Sequence, residues 1–377
     1  MNSQPSLRVF LCGDVMTGRG IDQALPHSVD PILYEAHVRD ARDYVDLAEK
    51  AHGTFQRPVS FDYIWGETLQ ELERVGVDLR IINLETAITS AATHWTGKGI
   101  HYRMHPLNVG CFSAARISGC ALANNHVLDW EYEGLSETLQ SLDAVSVAHA
   151  GAGRDTEEAA APAVLDVPGK GRVLLFSFGS TSSGIPREWN ASALRPGVNL
   201  LDDLSEATAA RISDQMRQFK RRSDLLVASI HWGGNWGYEI PREQIAFAHR
   251  LIEGGVAVVH GHSSHHVKAI EVFKGHLVLY GCGDFLTDYE GISGYEKFRG
   301  DLALMYLVEL HAPSGELISA RLVPMQMRRF RLEHASAADA SWLAELLNEL
   351  GAPFETEVQL ADENGITLKC PHHRRKT

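Results

Sequence analysis

The chain has 377 residues, of which 44% are hydrophobic and 22% are charged, so a disordered protein is excluded. Its 35 basic and 48 acidic residues give a formal net charge of −13, which does not favour nucleic acid or an anionic membrane as a partner. Five cysteines without a CxxC pair fit neither a disulfide framework nor a structural zinc site. The N-terminus shows no basic cluster followed by an apolar run, so we expect a cytoplasmic protein with no signal peptide and no membrane-spanning helix.

Short apolar runs alternate with amphipathic helical patterns, which indicates a layered α/β fold. The predicted strands are Leu7–Cys12, Val77–Leu84, Cys120–Ala123, Ser146–Ala150, Val173–Phe178, Leu225–Ile230, Val256–Val259 and Leu277–Tyr280. The predicted helices are Tyr63–Val75, Gly134–Leu142, Leu204–Phe219 and Arg242–Glu253. The irregular stretch Thr93–Asn108 could form a lid.

The C-terminal part of the chain is richer in strands. The pattern predicts strands at Asp301–Leu310, Leu317–Val323 and Met327–Leu332, followed by a helix at Ala340–Leu350. No internal repeat, low-complexity linker or domain boundary interrupts the sequence. We therefore expect residues 1–377 to form a single domain with a β-rich extension at about 311–370.

Polar side chains follow five of the predicted strands at the point where each strand ends. Because ligand sites in layered α/β folds form outside the carboxyl ends of strands, we expect these side chains to converge. Carboxylates, amide oxygens and imidazoles suit Mn, Zn, Fe, Mg or Ca, so the sequence predicts a site for one or two divalent metal ions. The residues in question are Asp14, Asn83, Glu85, Asn124, Asn125, His126, Asp129, His231, His260, His262, His265 and His266.

Each of these residues also has a purely structural interpretation. Asp14 could cap a helix or a turn, Glu85 could form a salt bridge on a loop, and His231 could be a hydrogen-bonded core histidine. The run HGHSSHH (His260–His266) is harder to explain by packing, because it places four histidines within seven residues directly after a strand. The combined pattern therefore favours a metal site.

Six motifs in a fixed order carry a family resemblance. Together they resemble the CapA/PgsA family, which is named for bacterial poly-γ-glutamate capsule synthesis and is similar in fold to the calcineurin-like metallophosphatases. The resemblance covers roughly Val9–Leu310 and implies a four-layer α/β/β/α sandwich of the metallo-dependent phosphatase type. The motifs are GDVMTGRG (Gly13–Gly20), INLET (Ile82–Thr86), ANNHVLDWEYEG (Ala123–Gly134), SIHWGGNW (Ser229–Trp236), HGHSSHH (His260–His266) and LYGCGDF (Leu279–Phe285).

The resemblance also implies roles for single residues. His126 would be the general acid, and His265 would complete the last motif. Met16 occupies the place of a ligand histidine and is a poor ligand for hard cations, so the resemblance leaves one or two ions open. The implied metal ligands are Asp14, Glu85 (in place of a bridging Asp), Asn125, His231 and His262.

Three functions remain open, and we place epimerisation first. Relatives of the CapA type include epimerases that invert a Cα centre in ribosomally made peptides such as lasso peptides. The metal would polarise a carbonyl, and His126, His265 or Asp284 would move the proton, with Cys282 as a further candidate. The second function is hydrolysis of a phosphoester or an amide, with His126 protonating the leaving group. The third is a non-catalytic polyglutamate assembly component.

Five residues near these motifs are candidates for substrate binding. Arg19 could hold a substrate carboxylate or form a salt bridge. Trp232 and Trp236 could form an apolar wall or pack in the core. Ser182 and Ser183 could donate hydrogen bonds to a substrate or belong to an ordinary loop. We expect a peptide or polyglutamyl-like substrate.

Overall fold

The computed structural model describes residues 6–369, so Cys370 lies outside the described residues. The strands are β1 (Ser6–Val15), β2 (Leu79–Leu84), β3 (Ala87–Ile88), β4 (Arg103–Met104), β5 (Gly119–Ala121), β6 (Ala148–Ala150), β7 (Ala152–Gly153), β8 (Ala163–Val167), β9 (Gly171–Gly179), β10 (Gly197–Val198), β11 (Leu225–His231), β12 (Val258–His262), β13 (Ile270–Phe273), β14 (His276–Leu279), β15 (Asp284–Leu286), β16 (Leu302–His311), β17 (Leu317–Arg328), β18 (Arg331–His334), β19 (Glu357–Leu360) and β20 (Ile366–Lys369). The α-helices are α1 (Gly20–Ala24), α2 (Arg42–His52), α3 (Thr68–Val75), α4 (Gly110–Ala114), α5 (Glu131–Ala144), α6 (Thr156–Ala160), α7 (Glu206–Phe219), α8 (Arg242–Glu253) and α9 (Ala337–Gly351).

Two large sheets organise the chain. The first has the strand order β19-β20-β17-β16-β1-β2-β5-β6, with β15 beside β1 and β18 beside β17. The second has the order β13-β14-β12-β11-β9-β8. Strands β1, β2, β5 and β6 are parallel, and so are β9, β11, β12 and β14. The α/β class expected from the sequence is therefore confirmed.

The alternation of side chains along the strands divides most of the buried apolar residues among three large clusters. Leu11 of β1 packs with Val227 of β11 in a cluster that both sheets share, which we call the inter-sheet core. Phe10 belongs to a second cluster that includes residues of α2, α3 and α5. Phe176 of β9 belongs to a third cluster with residues of α7 and α8. Burial of these apolar faces holds the sheets and helices together.

Two predicted elements are each divided into two in the structure. The helical pattern at Tyr63–Val75 is divided by Gly66, whose φ is 48°, into a 3₁₀ turn and α3. The single strand predicted at Met327–Leu332 is wrong, because the chain reverses at Arg329 and Phe330 between β17 and β18. The backbone N–H groups of both turn residues donate to the Glu290 carboxylate, at 2.6 and 2.7 Å. The Glu290 side chain thus stabilises a turn that lacks the glycine or asparagine from which a turn is usually predicted.

The β-rich C-terminal part continues the first sheet. Strand β17 pairs with β16 on one side and with β20 on the other, and β20 pairs with β19. Within residues 6–369, no helix combines the length and the apolar character needed to cross a bilayer.

A close backbone contact fixes the edge of the first sheet where β1 ends. The N–H of Asp14 donates to the carbonyl oxygen of Gly283 at 3.0 Å, and Asp14 pairs in register with Asp284. A Cβ atom on Gly13 would lie 1.6 Å from that same carbonyl oxygen. Glycine at position 13 therefore allows the two carboxylates to be brought together.

We predict that Gly13→Ala destabilises the protein by about 1–3 kcal/mol, because the added methyl group forces β1 away from the Gly283 segment. Gly99→Ala is the matched control, since a Cβ at Gly99 meets no heavy atom within 4 Å. Urea unfolding followed by circular dichroism measures both changes. Equal stability of Gly13→Ala and wild type would contradict the close contact.

Candidate functional site

The carboxyl ends of parallel strands from both sheets meet at one place. Asp14 lies at the end of β1 and pairs in register with Asn83 of β2, while His231 of β11 pairs with His262 of β12. One ligand atom each from Asp14, His231 and His262 lies within 4.8 Å of the other two, and all three residues are buried. The His231 Nδ1 and His262 Nδ1 atoms are 2.8 Å apart, and His262 Nδ1 lies 3.8 Å from Asp14 Oδ1.

A relay of hydrogen bonds sets the tautomer of His262. The His260 Nε2–H donates to the carbonyl oxygen of Cys12 at 2.7 Å, so the neutral ring has its lone pair on Nδ1. That Nδ1 accepts from Ser229 Oγ at 3.0 Å. Ser229 Oγ in turn accepts from His262 Nε2–H at 2.9 Å. The lone pair of His262 is therefore on Nδ1, facing His231 and Asp14.

Asn125 sets the tautomer of His231 in the same way. His231 Nε2–H donates to Asn125 Oδ1 at 3.0 Å, which leaves the lone pair on Nδ1. Two unprotonated nitrogens at 2.8 Å repel each other unless a proton or a cation lies between them. The third group at this point is the Asp14 carboxylate. One carboxylate and two neutral imidazoles are a common donor set for Zn²⁺ and similar divalent ions, so these residues fit a metal.

Buried carboxyl groups cluster around Asp14 at the candidate metal centre. Asn83 Nδ2 donates to both Asp14 Oδ1, at 2.8 Å, and Glu85 Oε2, at 3.1 Å. Burial and then the Asp284 carboxylate raise the pKa of Asp14 to about 7. Burial and then Asp14 raise the pKa of Glu85 well above its ordinary value. A cation beside these carboxyl groups would lower the free-energy cost of ionising them, so this environment also suits a metal.

His126 follows β5 and forms a pair with a buried aspartate. Its Nδ1 contacts Asp129 Oδ2 at 2.6 Å, and its Nε2 lies 3.8 Å from Glu85 Oε1. Burial lowers the pKa of His126 to about 4, even though Asp129 acts in the opposite direction. The ring is therefore neutral near pH 7, and Asp129 fixes its orientation.

His265 follows β12 and forms a second pair with an aspartate. Its Nδ1 lies 2.8 Å from Asp284 Oδ1. Burial disfavours the charged ring, but the carboxylates of Asp284 and Asp14 together act in the opposite direction and raise the pKa of His265. His126 and His265 thus differ in their pKa shifts although both are paired with aspartate, because the surrounding charges differ.

A pocket of about 200 Å³ lies beside the candidate metal centre. It brings together residues that the sequence singled out as ligands, Glu85 and Asn125, and as acid–base groups, His126 and His265. The residues that line it are Glu85, Lys98, Ile100, Tyr102, Asn125, His126, Asn235, Ser263, His265 and Tyr289.

Two residues that were predicted to act in the site lie in apolar cores instead. The predicted catalytic role of Cys282 is wrong, because its side chain is fully buried in the inter-sheet core and burial raises the pKa of its thiol. Trp232 packs in the cluster with α7 and α8, and its Nε1–H donates to the carbonyl oxygen of Tyr280 at 3.0 Å. Trp232 is therefore not a pocket wall.

Arg19 does not reach the pocket either. Its guanidinium is 1% exposed and pairs with the Asp288 and Glu35 carboxylates, and it lies under the ring of Tyr102 at 4.5 Å. Instead of the predicted substrate contact, Arg19 forms a buried ion pair and packs against the ring of Tyr102, which lines the pocket. The opposing charges on the two acidic partners explain why the guanidinium is tolerated there.

The other predicted substrate residues lie around the site. Ser183 is buried, and its Oγ–H donates to the carbonyl oxygens of Ser180, at 2.7 Å, and His231, at 3.1 Å, so it is committed to the loop. Ser182 is exposed, and its Oγ accepts from the N–H of Gly233 at 3.0 Å. Trp236 is half-buried, with its ring 5.3 Å from that of His265. Substrate contacts by Ser182 and Trp236 stay predictions.

Sequence reasoning missed three contributors. Ser229 lies two residues before His231 on the same strand, and side chains two apart share a face, so the motif SIH held a signal for it. Lys98 and Tyr289 had no such signal, because their approach to the pocket depends on loops. The Tyr289 OH lies 2.8 Å from the Tyr102 OH and 3.6 Å from Met16 Sδ. Met16, which the resemblance places where a ligand histidine would be expected, is thus buried against a residue that lines the pocket.

Comparison with known proteins gives a consistent picture. A family model described as "Bacterial capsule synthesis protein PGA_cap" matches residues 8–289. A "Probable polyglutamine synthesis accessory protein" from Mycobacterium tuberculosis is 44% identical over 357 residues, which cover 94% of each chain. The "Capsule biosynthesis protein CapA" of Bacillus anthracis is 22% identical over 80% of this chain and 63% of that protein. The solved structure of TT1561 from Thermus thermophilus covers 82% of this chain and 96% of its own at 11% identity, but its TM-score of 0.36 carries no conclusion.

We predict that His231→Ala abolishes near-stoichiometric binding of Mn²⁺ or Zn²⁺, because it removes one of the three converging ligand atoms. His249→Ala is the control, since His249 lies on α8 and pairs with Glu271 at 2.9 Å, outside the ligand group. Elemental analysis after metal loading and desalting measures the stoichiometry. Unchanged metal content in His231→Ala would remove this residue from the ligand set.

We predict a second, smaller effect for Ser229→Ala. Loss of the hydroxyl breaks the relay that fixes the His262 tautomer, so metal affinity falls by about 10- to 100-fold. Competition with a chromophoric chelator measures the affinity. Ser213→Ala is the control, because Ser213 is also buried but donates to the Ala209 carbonyl oxygen within α7. Equal affinities for the two variants would contradict the relay.

Proposed function

Because the chain belongs to the bacterial capsule synthesis protein family PGA_cap, as its motifs predicted, we propose that it is a metal-dependent acid–base enzyme acting on a glutamyl peptide chain. The relatives' names point to the synthesis of polyglutamine, of a capsule and of a polymer abbreviated PGA. A peptide of glutamate-type residues is therefore the substrate class that we propose, and an accessory role in such a synthesis is the setting.

The observation that carries this proposal is that two His–Asp pairs reach one pocket and a metal-type ligand group lies beside it. His126 reaches the pocket from the loop after β5 in the first sheet, and His265 reaches it from the loop after β12 in the second sheet. Ligand residues alone would suffice for a structural ion. Two further imidazoles, each oriented by a carboxylate, are the arrangement that proton transfer needs.

We propose Cα epimerisation as the reaction. When bound at Asp14, His231 and His262, a divalent cation would supply Lewis-acid polarisation of a substrate carbonyl oxygen. One imidazole of the two His–Asp pairs takes the proton from Cα, and the other returns a proton to the opposite face. The neutral ring of His126 suits it to accept the proton, and the raised pKa of His265 suits it to donate one.

Hydrolysis of a glutamyl amide is the second candidate, and Glu85 is the observation that favours it. Glu85 Oε1 lies 3.8 Å from Nε2 of both His126 and His231, so Glu85 would help to hold a second cation beside the group of Asp14, His231 and His262. A two-cation arrangement is typical of hydrolases. In that reaction the neutral ring of His126 would take a proton from the attacking water and pass it to the leaving amine.

We also propose that the chain has the four-layer α/β/β/α fold of the metallophosphatases. Its support is the sharing of the inter-sheet core by the two large sheets and the presence of helix residues in both of the other apolar clusters. This architecture opens the carboxyl ends of both parallel strand sets toward one site.

The test is incubation of the metal-loaded protein with a synthetic oligoglutamate in deuterated water, followed by mass spectrometry. Epimerisation adds deuterium at Cα without shortening the peptide, and chelation abolishes the uptake. We predict that His126→Ala lowers the rate by at least about 100-fold while metal content is unchanged. His249→Ala is again the control.

The possible outcomes separate the candidates. Shortening of the peptide without uptake would overturn epimerisation and support hydrolysis. Full activity of His126→Ala would remove this residue from proton transfer. Neither uptake nor shortening with α- and γ-linked peptides, in the presence of bound metal, would overturn the proposal of an enzyme acting on glutamyl chains.

A further inference from the structure

Lys98 brings an ammonium group to the pocket. Of the ten residues that line the pocket in the described part of the chain, nine are acidic, neutral or imidazole side chains. The Lys98 side chain is 15% exposed, so its ammonium group is largely removed from bulk water. An ammonium group in such a place interacts more strongly with an anion than it would on the open surface.

The hydrogen bonds of Lys98 leave part of its donor capacity for a ligand. The ammonium group has three N–H bonds, and it donates to the backbone carbonyl oxygen of Asn125 and to Asp129 Oδ1. The next acceptor is His126 Nδ1 at 3.5 Å, but that atom contacts Asp129 Oδ2 at 2.6 Å. One N–H of the ammonium group is therefore available to an occupant of the pocket.

The position of Lys98 is set by the same aspartate that orients His126. The backbone N–H of Trp95 donates to the Asp129 carbonyl oxygen at 2.8 Å, and the N–H of Tyr102 donates to Asp129 Oδ2 at 2.7 Å. These bonds hold the segment that carries Lys98 on both sides of it. The ammonium group also lies 4.9 Å from the ring centre of Trp189. Lys98 is thus held in place before a ligand arrives.

Other cations near the site are not available for this task. Arg19 is fully engaged with Asp288 and Glu35 and does not line the pocket. Lys268 is 5% exposed and does not line the pocket. The chain as a whole carries a formal net charge of −13, which opposes the approach of an acidic peptide. Among the side chains that line the pocket, Lys98 is therefore the one that would offer an ammonium group to an acidic substrate.

We propose that Lys98 is a specificity-determining residue that binds a side-chain carboxylate of the substrate, so that the pocket takes a glutamate-type chain in preference to a glutamine-type chain. An ammonium–carboxylate hydrogen bond is stronger than one to a neutral amide oxygen, which gives the selectivity. This inference rests on the proposed peptide substrate. The inference also narrows the proposed substrate class, because the relatives' names include both polyglutamine synthesis and capsule synthesis.

The test compares the binding of a hexaglutamate and a hexaglutamine peptide to the metal-loaded full chain by isothermal titration calorimetry. We expect wild type to bind hexaglutamate at least about 10-fold more tightly, and Lys98→Met to lose about 10-fold or more in hexaglutamate affinity with hexaglutamine affinity within about 2-fold of wild type. Lys98→Arg should restore part of the preference. Lys297→Met is the charge-matched control, since Lys297 is exposed in a short 3₁₀ helix and does not line the pocket.

Equal losses for the two peptides in Lys98→Met would overturn the inference, because they would assign Lys98 to the support of Asp129 and His126 alone. A wild-type protein that prefers hexaglutamine, or that binds neither peptide, would also overturn it, whether or not the variants fold. A preference for hexaglutamate that depends on Lys98, without deuterium uptake or cleavage, would support the inference and count against the proposed reaction.

Discussion

The concentration of buried carboxylates at the end of β1 is the constraint on which the rest of the site depends. Asp14, Glu85 and Asp284 lie close enough that burial and mutual repulsion raise the pKa values of Asp14 and Glu85. Carboxylates in such a place require positive charge nearby if they are to be ionised. The raised pKa of His265 favours a charged ring beside Asp284, and a divalent cation held by Asp14, His231 and His262 would supply the remaining positive charge.

The histidines at this edge divide into two groups by the partner of each ring. His231 and His262 are held by neutral groups, Asn125 and Ser229, which leave a lone pair on the Nδ1 atom of each ring. His126 and His265 are instead held by the carboxylates of Asp129 and Asp284. Neutral partners suit rings that bind a metal, whereas carboxylate partners stabilise a ring that gains a proton. The hydrogen-bond partner of each ring thus indicates which histidines suit metal binding and which suit proton transfer, and the residue type alone does not.

Much of this site could be predicted because its residues share a local rule. Asp14, His231 and His262 come at the ends of apolar strands, and parallel strands deliver such residues to one edge of a sheet. The same rule failed for Cys282, which precedes Asp284 by two residues and would share its face in a regular strand. Gly283 between them has a φ of 78°, which breaks the alternation and leaves Cys282 in the inter-sheet core.

The amino-acid sequence by itself determined the α/β class, the family and the set of side chains at the strand ends, because strand periodicity and strand-end motifs are local properties of the chain. The tertiary structure alone decided which of those side chains meet. It turned Arg19 into a buried ion pair, brought Ser229 into a relay with His260 and His262, and placed Lys98 beside His126. These outcomes depend on loop paths and on the contact between two sheets, which join residues far apart in the chain.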